Sequence, residues 1–289
     1  MTPAGETTTE RHDDVTASLP EPGDRRRTLL AFAPYLVVSV AHVALLVAGL
    51  DDPARATKLL LMPALALAVL LTARPLRGAV PVLLLGAIGL SWGGDALLNL
   101  PGDLGFVVGL ASFLLAHVTY VVLFLRLPAS GSRLPAWTVA YAAWYLAFLA
   151  LLQPHLGGLL VAVALYGLVL GVMAAIAGGL GGLIAVGGAL FVVSDSVLAL
   201  GRFLPGYEFA PHDPVVMSTY LAAQGLIALG VVRVNRRRIS SVAVAATSAR
   251  TSARASAAGD RRPMSGRPAG PVRARWSPAR GRRAGATAP

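Results

Sequence analysis

The sequence predicts an all-α fold: a polytopic membrane protein with about eight transmembrane helices. Of the 289 residues, 55% are hydrophobic and only 13% are charged. The apolar residues fall in unbroken runs of about 17 to 23 residues, close to the roughly 20 that an α-helix needs to cross the hydrocarbon core of a bilayer. These runs lack the regularly spaced polar residues of a helix on the surface of a water-soluble protein. A membrane protein is therefore expected rather than a soluble one.

The apolar runs divide the chain into three parts. We expect a disordered cytoplasmic leader at 1–27, an eight-helix membrane domain at 28–233 and a disordered basic cytoplasmic tail at 234–289. The predicted spans are residues 28–50, 57–72, 79–98, 106–127, 136–152, 156–177, 181–203 and 214–232. The first run is too long for a signal peptide and no clear cleavage site follows it, so it is interpreted as a span.

Basic residues in the short loops predict the orientation, because cytoplasmic loops carry an excess of Lys and Arg. The basic residues on one side are Arg11, Arg25, Arg26 and Arg27 in the leader, Arg74 and Arg77 after the second span, and Arg126 and Arg133 after the fourth. The connections on the other side hold little beyond Arg55, Lys58 and Arg202. Because eight spans return the chain to its starting side, both termini are predicted to be cytoplasmic, with the protein in the cell membrane.

The net charge of +11 does not indicate a nucleic-acid partner, because more than half of the 25 basic residues lie in the tail from Arg233 onward. That tail is interpreted as a topology anchor with a solvated extension, in preference to a segment that binds anionic lipid. The chain has no cysteine, which excludes disulfides, thiol catalysis and metal sites with cysteine ligands. Membrane lipids are therefore the expected partners.

Two aspartates inside apolar runs are the strongest indication of function. Asp95 lies in the third predicted span and Asp195 in the seventh. An ionisable side chain costs roughly 2.5–3.5 kcal/mol at the centre of a membrane helix, so it needs a partner or a use. Two carboxyl groups in different surroundings can also divide the roles of acid and base. The pair is therefore a candidate catalytic centre.

Polar residues in other spans are predicted to lie at a similar depth. With a rise of about 1.5 Å per residue, Asp95 lies within a turn of the outer end of its span, and Asp195 lies about 12 Å short of that end. By the same rise His117 lies about 16 Å below the outer surface, Tyr220 about 10 Å and Gln224 about 15 Å. This shared depth favours one site in the outer half of the membrane. For each residue alone, the alternative is a structural role as a helix cap, a buried core histidine or a polar contact between helices.

Other kinds of site are weakly indicated. Of the histidines, only His42 and His117 lie inside spans, and no H-E-x-x-H or similar pairing is present, so no metal site is predicted. Ser194 and Ser196 flank Asp195 without the G-x-S-x-G setting of a serine hydrolase. No motif indicates a cofactor.

An ordered series of short motifs runs from the third span to the eighth. Its members are Gly94-Asp95 with Leu98; Phe106, Gly109, Phe113, Ala116-His117 and Tyr120; Phe191 with Ser194-Asp195; and Tyr220 with Ala223-Gln224. Weaker members are Lys58 with Pro63, and Tyr166 with Met173. On these residues the chain resembles the YhhN-like lysoplasmalogenases, a family of eight-helix membrane proteins, over roughly residues 55–232. It departs from the family pattern at Trp92-Gly93, and the leader and tail have no counterpart.

The resemblance implies hydrolysis of the vinyl-ether bond of a lysoplasmalogen, a single-chain ether phospholipid, to a fatty aldehyde and a glycerophospho-base. Such hydrolysis needs an acid that protonates an alkene carbon, and water that attacks an oxocarbenium ion stabilised by a carboxylate. Asp95 and Asp195 are the predicted catalytic groups, and which of them is the acid stays open. The residues expected to orient substrate or water are His117, Tyr120, Ser194, Tyr220 and Gln224.

Three rival functions would use the same residues differently. A proton-coupled carrier would relay protons through the two aspartates and release no product from ether lipids. A metal-dependent lipid amidase would use His117 and the aspartates as ligands, and a chelator would abolish its activity. A noncatalytic scaffold would tolerate replacement of Asp95 by Asn.

Overall fold

The computed structural model describes residues 22–73, 78–128 and 134–259, and within these ranges the regular elements are all helices. The predicted all-α class is confirmed. The α-helices are α1 Pro22–Val47, α2 Asp51–Thr72, α3 Ala79–Leu98, α4 Asp103–Leu125, α5 Val139–Leu156, α6 Leu160–Leu180, α7 Gly182–Phe203 and α8 His212–Gly259. Short 3-10 turns at Ala136–Thr138 and Gly157–Leu159 precede α5 and α6.

Seven helical stretches in the described residues are long and apolar enough to cross a membrane. The longest, residues 136–180, folds back on itself at the turn Gly157–Leu159. Gly178 of α6 faces Trp137, and Gly167 faces Tyr145 of α5, so this stretch supplies two antiparallel helices. The described part of the chain thus contains eight helices, in agreement with the predicted number.

The outward surface of the helices is apolar, as a lipid-facing surface must be. Large hydrophobic side chains stand exposed along it, and Leu104 and Val161 are each 77% accessible. In a water-soluble protein such a surface would be a strong liability for aggregation. The chain is therefore a multi-pass membrane protein.

Neighbouring helices approach closely where one of them carries a small residue. A Cβ atom at Gly94 of α3 would lie 2.5 Å from the ring of Phe113 on α4, and one at Gly187 of α7 would lie 2.9 Å from the carbonyl oxygen of Ala223 on α8. Between α6 and α7 the chain turns at Gly181, whose φ of 72° lies in the left-handed region that glycine adopts without strain. Glycine therefore sets both the helix spacing and a tight connection, as is usual in membrane bundles.

The end of α8 differs from the predicted boundary at residue 233. The helix continues to Gly259, because residues 233–259 are rich in alanine, the best helix former, and contain no proline. By its contacts the chain divides into two units, residues 1–240 and 241–289. At the other end α1 begins at Pro22, inside the predicted leader. Residues 1–21 and 260–289 lie outside the described residues, so their expected disorder stays a prediction, and Arg74, Arg77 and Arg133 also lie outside them.

Candidate active site

Asp95 lies in the last turn of α3 and is enclosed by side chains from two other helices. The hydroxyl group of Tyr220 on α8 donates a hydrogen bond to its Oδ2 atom at 2.8 Å. The ammonium group of Lys58, near the start of α2, lies 3.7 Å from Oδ1. Because α2 and α3 are antiparallel, the beginning of one helix meets the end of the other. The Asp95 side chain is only 3% exposed, so this is a buried ion pair.

Asp195 lies in α7 and has different neighbours. The hydroxyl group of Tyr166 on α6 donates a hydrogen bond to its Oδ2 atom at 2.6 Å. The same oxygen lies 3.8 Å from Nε2 of His117 on α4. The imidazole is fully buried and meets the rings of Tyr166 and Phe191 edge-on, at centroid distances of 5.3 and 4.9 Å. These aromatic contacts fix the plane of the imidazole beside the carboxyl group.

Aromatic side chains connect the surroundings of the two carboxyl groups. The ring of Phe191 contacts both His117, beside Asp195, and Tyr220, which binds Asp95. The centroids of Phe191 and Tyr220 are 5.6 Å apart. The structure therefore brings residues from six different helices into one polar region within the apolar bundle.

A second hydrogen-bonded group joins α3, α4 and α8. Tyr120 donates its hydroxyl proton to Oε1 of Gln224, and Nε2 of Gln224 donates to Oγ of Ser91 at 2.9 Å. All three side chains are completely buried and belong to α4, α8 and α3. The Ser194 hydroxyl group donates to the carbonyl oxygen of Val216 on α8 at 3.0 Å. Of the predicted orienting residues, Tyr220 and His117 therefore face a carboxyl group, whereas Tyr120, Gln224 and Ser194 join helices.

A cleft opens beside Asp195. Its walls are almost entirely apolar. They are formed by Leu98, Phe106, Leu110, Phe113, Trp144, Tyr145, Phe148, Leu149, Leu152, Val163, Tyr166, Gly167, Leu170, Asp195, Leu198, Ala199, Arg202 and Phe203. Asp195 lines this cleft, whereas Asp95 is not among its lining residues. The two aspartates predicted to share one cavity therefore have unequal access to it.

The mouth of the cleft carries charge. Arg202, in the last turn of α7, lines the cleft and is 42% exposed. Its guanidinium group lies over the ring of Phe106 at 4.7 Å and donates a hydrogen bond to Oδ1 of Asp103 at 2.6 Å. The cleft thus runs from a guanidinium group at the end of α7 to a carboxyl group within the bundle.

The sequence that forms these helices matches a known family over most of its length. The model of the YhhN family matches residues 53–231, well over half of the chain. The chain belongs to the YhhN family. The matched region includes most of α2, all of α3 to α7 and the part of α8 that holds Tyr220 and Gln224.

Relatives of this YhhN-family chain are named lysoplasmalogenases. The lysoplasmalogenase TMEM86B of Rattus norvegicus is 35% identical over 202 residues, which cover 70% of this chain and 83% of the relative. The Homo sapiens protein of that name is 38% identical over 175 residues, covering 60% and 73%. A lysoplasmalogenase of Mycobacterium tuberculosis is 36% identical over 171 residues, covering 54% and 61%. No solved structure matches the chain.

Three residues beside the carboxyl groups or in the cleft, Lys58, Tyr166 and Arg202, are not among the predicted site residues. Lys58 and Arg202 lie near the ends of spans, where the sequence indicates only loop charges, although Lys58 also belongs to a weak motif. Tyr166 likewise belonged to a weak motif, and a tyrosine in an apolar run gives no other signal. Within the described residues, no three His, Cys, Asp or Glu side chains are grouped as metal ligands would be.

Proposed function

We propose that this protein is a lysoplasmalogenase, which hydrolyses the vinyl-ether bond of a lysoplasmalogen to a fatty aldehyde and a glycerophospho-base. The names of its relatives supply the reaction. The observation that carries the proposal is the apolar cleft with the carboxyl group of Asp195 in its wall. Its lining is almost entirely apolar with a few polar groups, as is usual for sites that bind small molecules.

The cleft suits a lipid with one chain. Leucine, phenylalanine and valine side chains from α4, α5, α6 and α7 form most of its wall, so a hydrocarbon chain meets little polar surface. The headgroup stays near Arg202 at the end of α7, where polar groups remain hydrated. The vinyl-ether bond, between the headgroup and the chain, then lies near Asp195.

Asp195 acts as the acid in this proposal. Its carboxyl proton is transferred to C2′ of the vinyl ether, and the electron pair of the double bond forms the new C–H bond. The resulting positive charge is shared by C1′ and the ether oxygen. Water then adds to C1′ and loses a proton to the Asp195 carboxylate. The hemiacetal collapses to the aldehyde, and the glycerol oxygen takes up the proton.

Tyr166 and His117 position Asp195, since one donates a hydrogen bond to the carboxyl group and the other lies beside the same oxygen. Asp95 contributes as the second carboxyl group. Lys58 supplies the positive charge opposite it, and Tyr220 holds it with a hydrogen bond. In a region of low dielectric constant its charge acts on the cationic intermediate across several ångströms. Asp195 is therefore the group that touches the substrate, and Asp95 acts electrostatically.

The headgroup end of the cleft faces the outer side of the cell membrane in this proposal, with both termini cytoplasmic. The basic residues of the short loops support this orientation. Lipid enters sideways from the leaflet that the cleft mouth faces.

A substrate panel tests the function. Purified protein in detergent is incubated with matched lysophospholipids that carry a vinyl-ether, an alkyl-ether or an acyl chain, and the products are followed by mass spectrometry. We expect fatty aldehyde from the vinyl ether and no product from the alkyl ether. Fatty acid from the acyl lipid alone would identify an esterase instead. Absence of any product, together with proton flux in proteoliposomes, would favour the carrier.

A further inference from the structure

We propose that Arg202 binds the phosphate group of the lipid substrate at the mouth of the cleft. This inference rests on the proposed function, because it identifies the headgroup contact of that reaction. Arg202 supplies a positive charge to the lining of a cleft whose walls are otherwise almost wholly apolar. A lysophospholipid presents an anionic phosphate at its polar end, and a guanidinium group offers two parallel donors that match phosphate oxygens.

The spacing along α7 fits the length of the substrate. Arg202 follows Asp195 by seven residues, which is two helical turns and a rise of about 10 Å. Six bonds separate C1′ of the vinyl ether from the phosphorus atom. Three bonds of an extended chain span at most about 3.6 Å, so six span about 7 Å. A phosphate contacting the Arg202 guanidinium group therefore leaves the vinyl ether close to the Asp195 carboxyl group.

Two neighbouring side chains position the guanidinium group of Arg202 for contact with a phosphate. It lies 4.7 Å from the centre of the Phe106 ring, and Phe106 itself lines the cleft. The hydrogen bond to Asp103 tethers it from the solvent side, where Asp103 is 90% exposed. An exposed ion pair contributes little stability, so a phosphate displaces or shares this partner at small cost.

Matched substrates separate this role from a general effect on the enzyme. Steady-state kinetics are measured on a lysoplasmalogen and on the 1-O-alkenylglycerol that lacks the phosphate. In Arg202→Gln we expect KM for the phosphate-bearing lipid to rise at least about 10-fold, because a hydrogen bond to a charged group is lost. In the same variant, the decrease in kcat/KM is expected to be several-fold smaller for the phosphate-free lipid than for the phosphate-bearing lipid. Arg202→Lys keeps the charge but loses the paired donors. Its KM for the phosphate-bearing lipid should therefore lie between the KM of the wild type and that of Arg202→Gln.

Two control variants exclude simpler explanations. Asp103→Asn breaks the same ion pair while keeping Arg202, so it should preserve the preference for the phosphate-bearing lipid. Arg55→Gln removes another exposed arginine that is paired with a neighbouring aspartate, Asp52, and lies outside the cleft. It should leave KM for both substrates unchanged. If KM for the phosphate-bearing lipid rises equally in Asp103→Asn and in Arg202→Gln, the ion pair has only a structural role, and the inference is overturned.

A binding measurement keeps the inference distinct from the proposed function. A saturated 1-O-alkyl lysophospholipid has no vinyl ether, so its dissociation constant reports headgroup binding without turnover. We expect weaker binding by at least about 10-fold in Arg202→Gln, and unchanged binding in Arg55→Gln. If the wild type hydrolyses no vinyl ether, the proposed function fails, while the dissociation constants still decide the role of Arg202. Equal affinity in the wild type and Arg202→Gln would refute phosphate binding.

Discussion

Each of the two aspartates accepts a hydrogen bond from a tyrosine of another helix, yet their other partners differ. Asp95 faces the ammonium group of Lys58, and Asp195 faces an imidazole and the open cleft. The first is an ion pair closed off by protein, and the second is a carboxyl group that a substrate can reach. This difference supports separate roles for two residues of the same type.

Replacing either aspartate by Asn keeps the shape and removes the ionisable group. We expect turnover to fall by at least about 10²-fold in Asp195→Asn, the usual low end for acid–base catalysis. A fall of at least about 10²-fold is also expected in Asp95→Asn, because the charge that stabilises the cationic intermediate is lost. Groups that act together are not additive, so the double variant should be little worse than the worse single one. Aldehyde release by purified, correctly inserted protein is the measurement. Near-wild-type turnover in both single variants would refute a two-carboxylate mechanism, and His117→Gln would then be measured.

Lys58→Met tests the buried ion pair. It leaves the Asp95 carboxylate without its cation, and breaking a buried pair costs about 3–5 kcal/mol. We expect a marked drop in thermal stability in detergent. Adding Asp95→Asn to Lys58→Met removes the stranded charge and should restore much of that stability without restoring turnover. If Lys58→Met alone is as stable as the wild type, the ion pair does not hold Asp95 in place.

The site could be predicted from sequence only in part. Asp95, Asp195 and His117 were found because hydrocarbon rejects such groups, which makes them conspicuous in apolar runs. Their partners could not be predicted, since one sequence does not fix the rotation of each helix or its neighbours. The side chain of Gln224, for example, joins Tyr120 to Ser91, and its predicted role in orienting substrate or water stays a prediction. The roles assigned to these residues stay predictions.

At the scale of the elements, the contact between α3 and α4 determines the position of Asp95. Gly94 precedes it in the chain and lies directly against the ring of Phe113, which in turn meets Tyr220 edge-on at 5.9 Å. Gly109 of α4 lies against Leu98 of α3 in the same interface. Gly94 therefore lets α3 and α4 approach each other closely. In this packing Phe113 contacts Tyr220 of α8, and the Tyr220 hydroxyl group reaches the carboxyl group of Asp95.

Gly94→Ala should disturb this contact. The added methyl group would lie 2.5 Å from the Phe113 ring, so Phe113 must move and Tyr220 with it. We expect a loss of about 1–3 kcal/mol in stability, typical of overpacking, and a clear loss of turnover. Gly89→Ala is the matched control, because a methyl group there meets nothing within 4 Å. Melting temperature and aldehyde release are compared for both. Equal behaviour of the two variants would show that the α3–α4 spacing does not matter.

The helices were predicted well from sequence, because runs of apolar residues report length and number directly. The 3-10 turn Gly157–Leu159 divides the fifth and sixth helices near the boundary that the sequence placed between 152 and 156. The helix α8 continues to Gly259, beyond the predicted end of the last span at 232, since loss of apolar character ends a membrane span but need not end a helix. The predicted boundary of the membrane domain at 233 stays a prediction.

At the scale of the whole molecule, arginines of α8 meet the ends of two other helices. Nε of Arg236 donates to the carbonyl oxygen of Thr72 at the end of α2, and Nη1 of Arg238 lies 3.4 Å from the carbonyl oxygen of Arg126 at the end of α4. Basic side chains at helix C-termini complement the partial negative charge there. These residues therefore share one end of the bundle, opposite to Lys58 and Asp95.

A reporter fusion tests which end is cytoplasmic. A reporter fused after Arg238 should be cytoplasmic, and a reporter in the connection 99–102 between α3 and α4 should lie outside, because the basic end of the bundle stays inside. Paired reporters that are active on opposite sides of the membrane give the measurement. The inverted result would place the cleft mouth in the cytoplasmic leaflet and overturn the proposed orientation.

The order of the partners along the chain has a consequence for biosynthesis. Lys58 lies on α2, immediately before the helix that carries Asp95, and Tyr166 lies on α6, immediately before the helix that carries Asp195. A nascent chain enters the bilayer from its N-terminus, so each carboxyl group follows a helix that already presents its partner. If α2 inserts with α3, and α6 with α7, as helical hairpins, neither aspartate enters the lipid without its partner. Tyr220 lies on α8, the last helix to insert. The surroundings of the Asp95 carboxyl group are therefore complete only after α8 has entered the membrane.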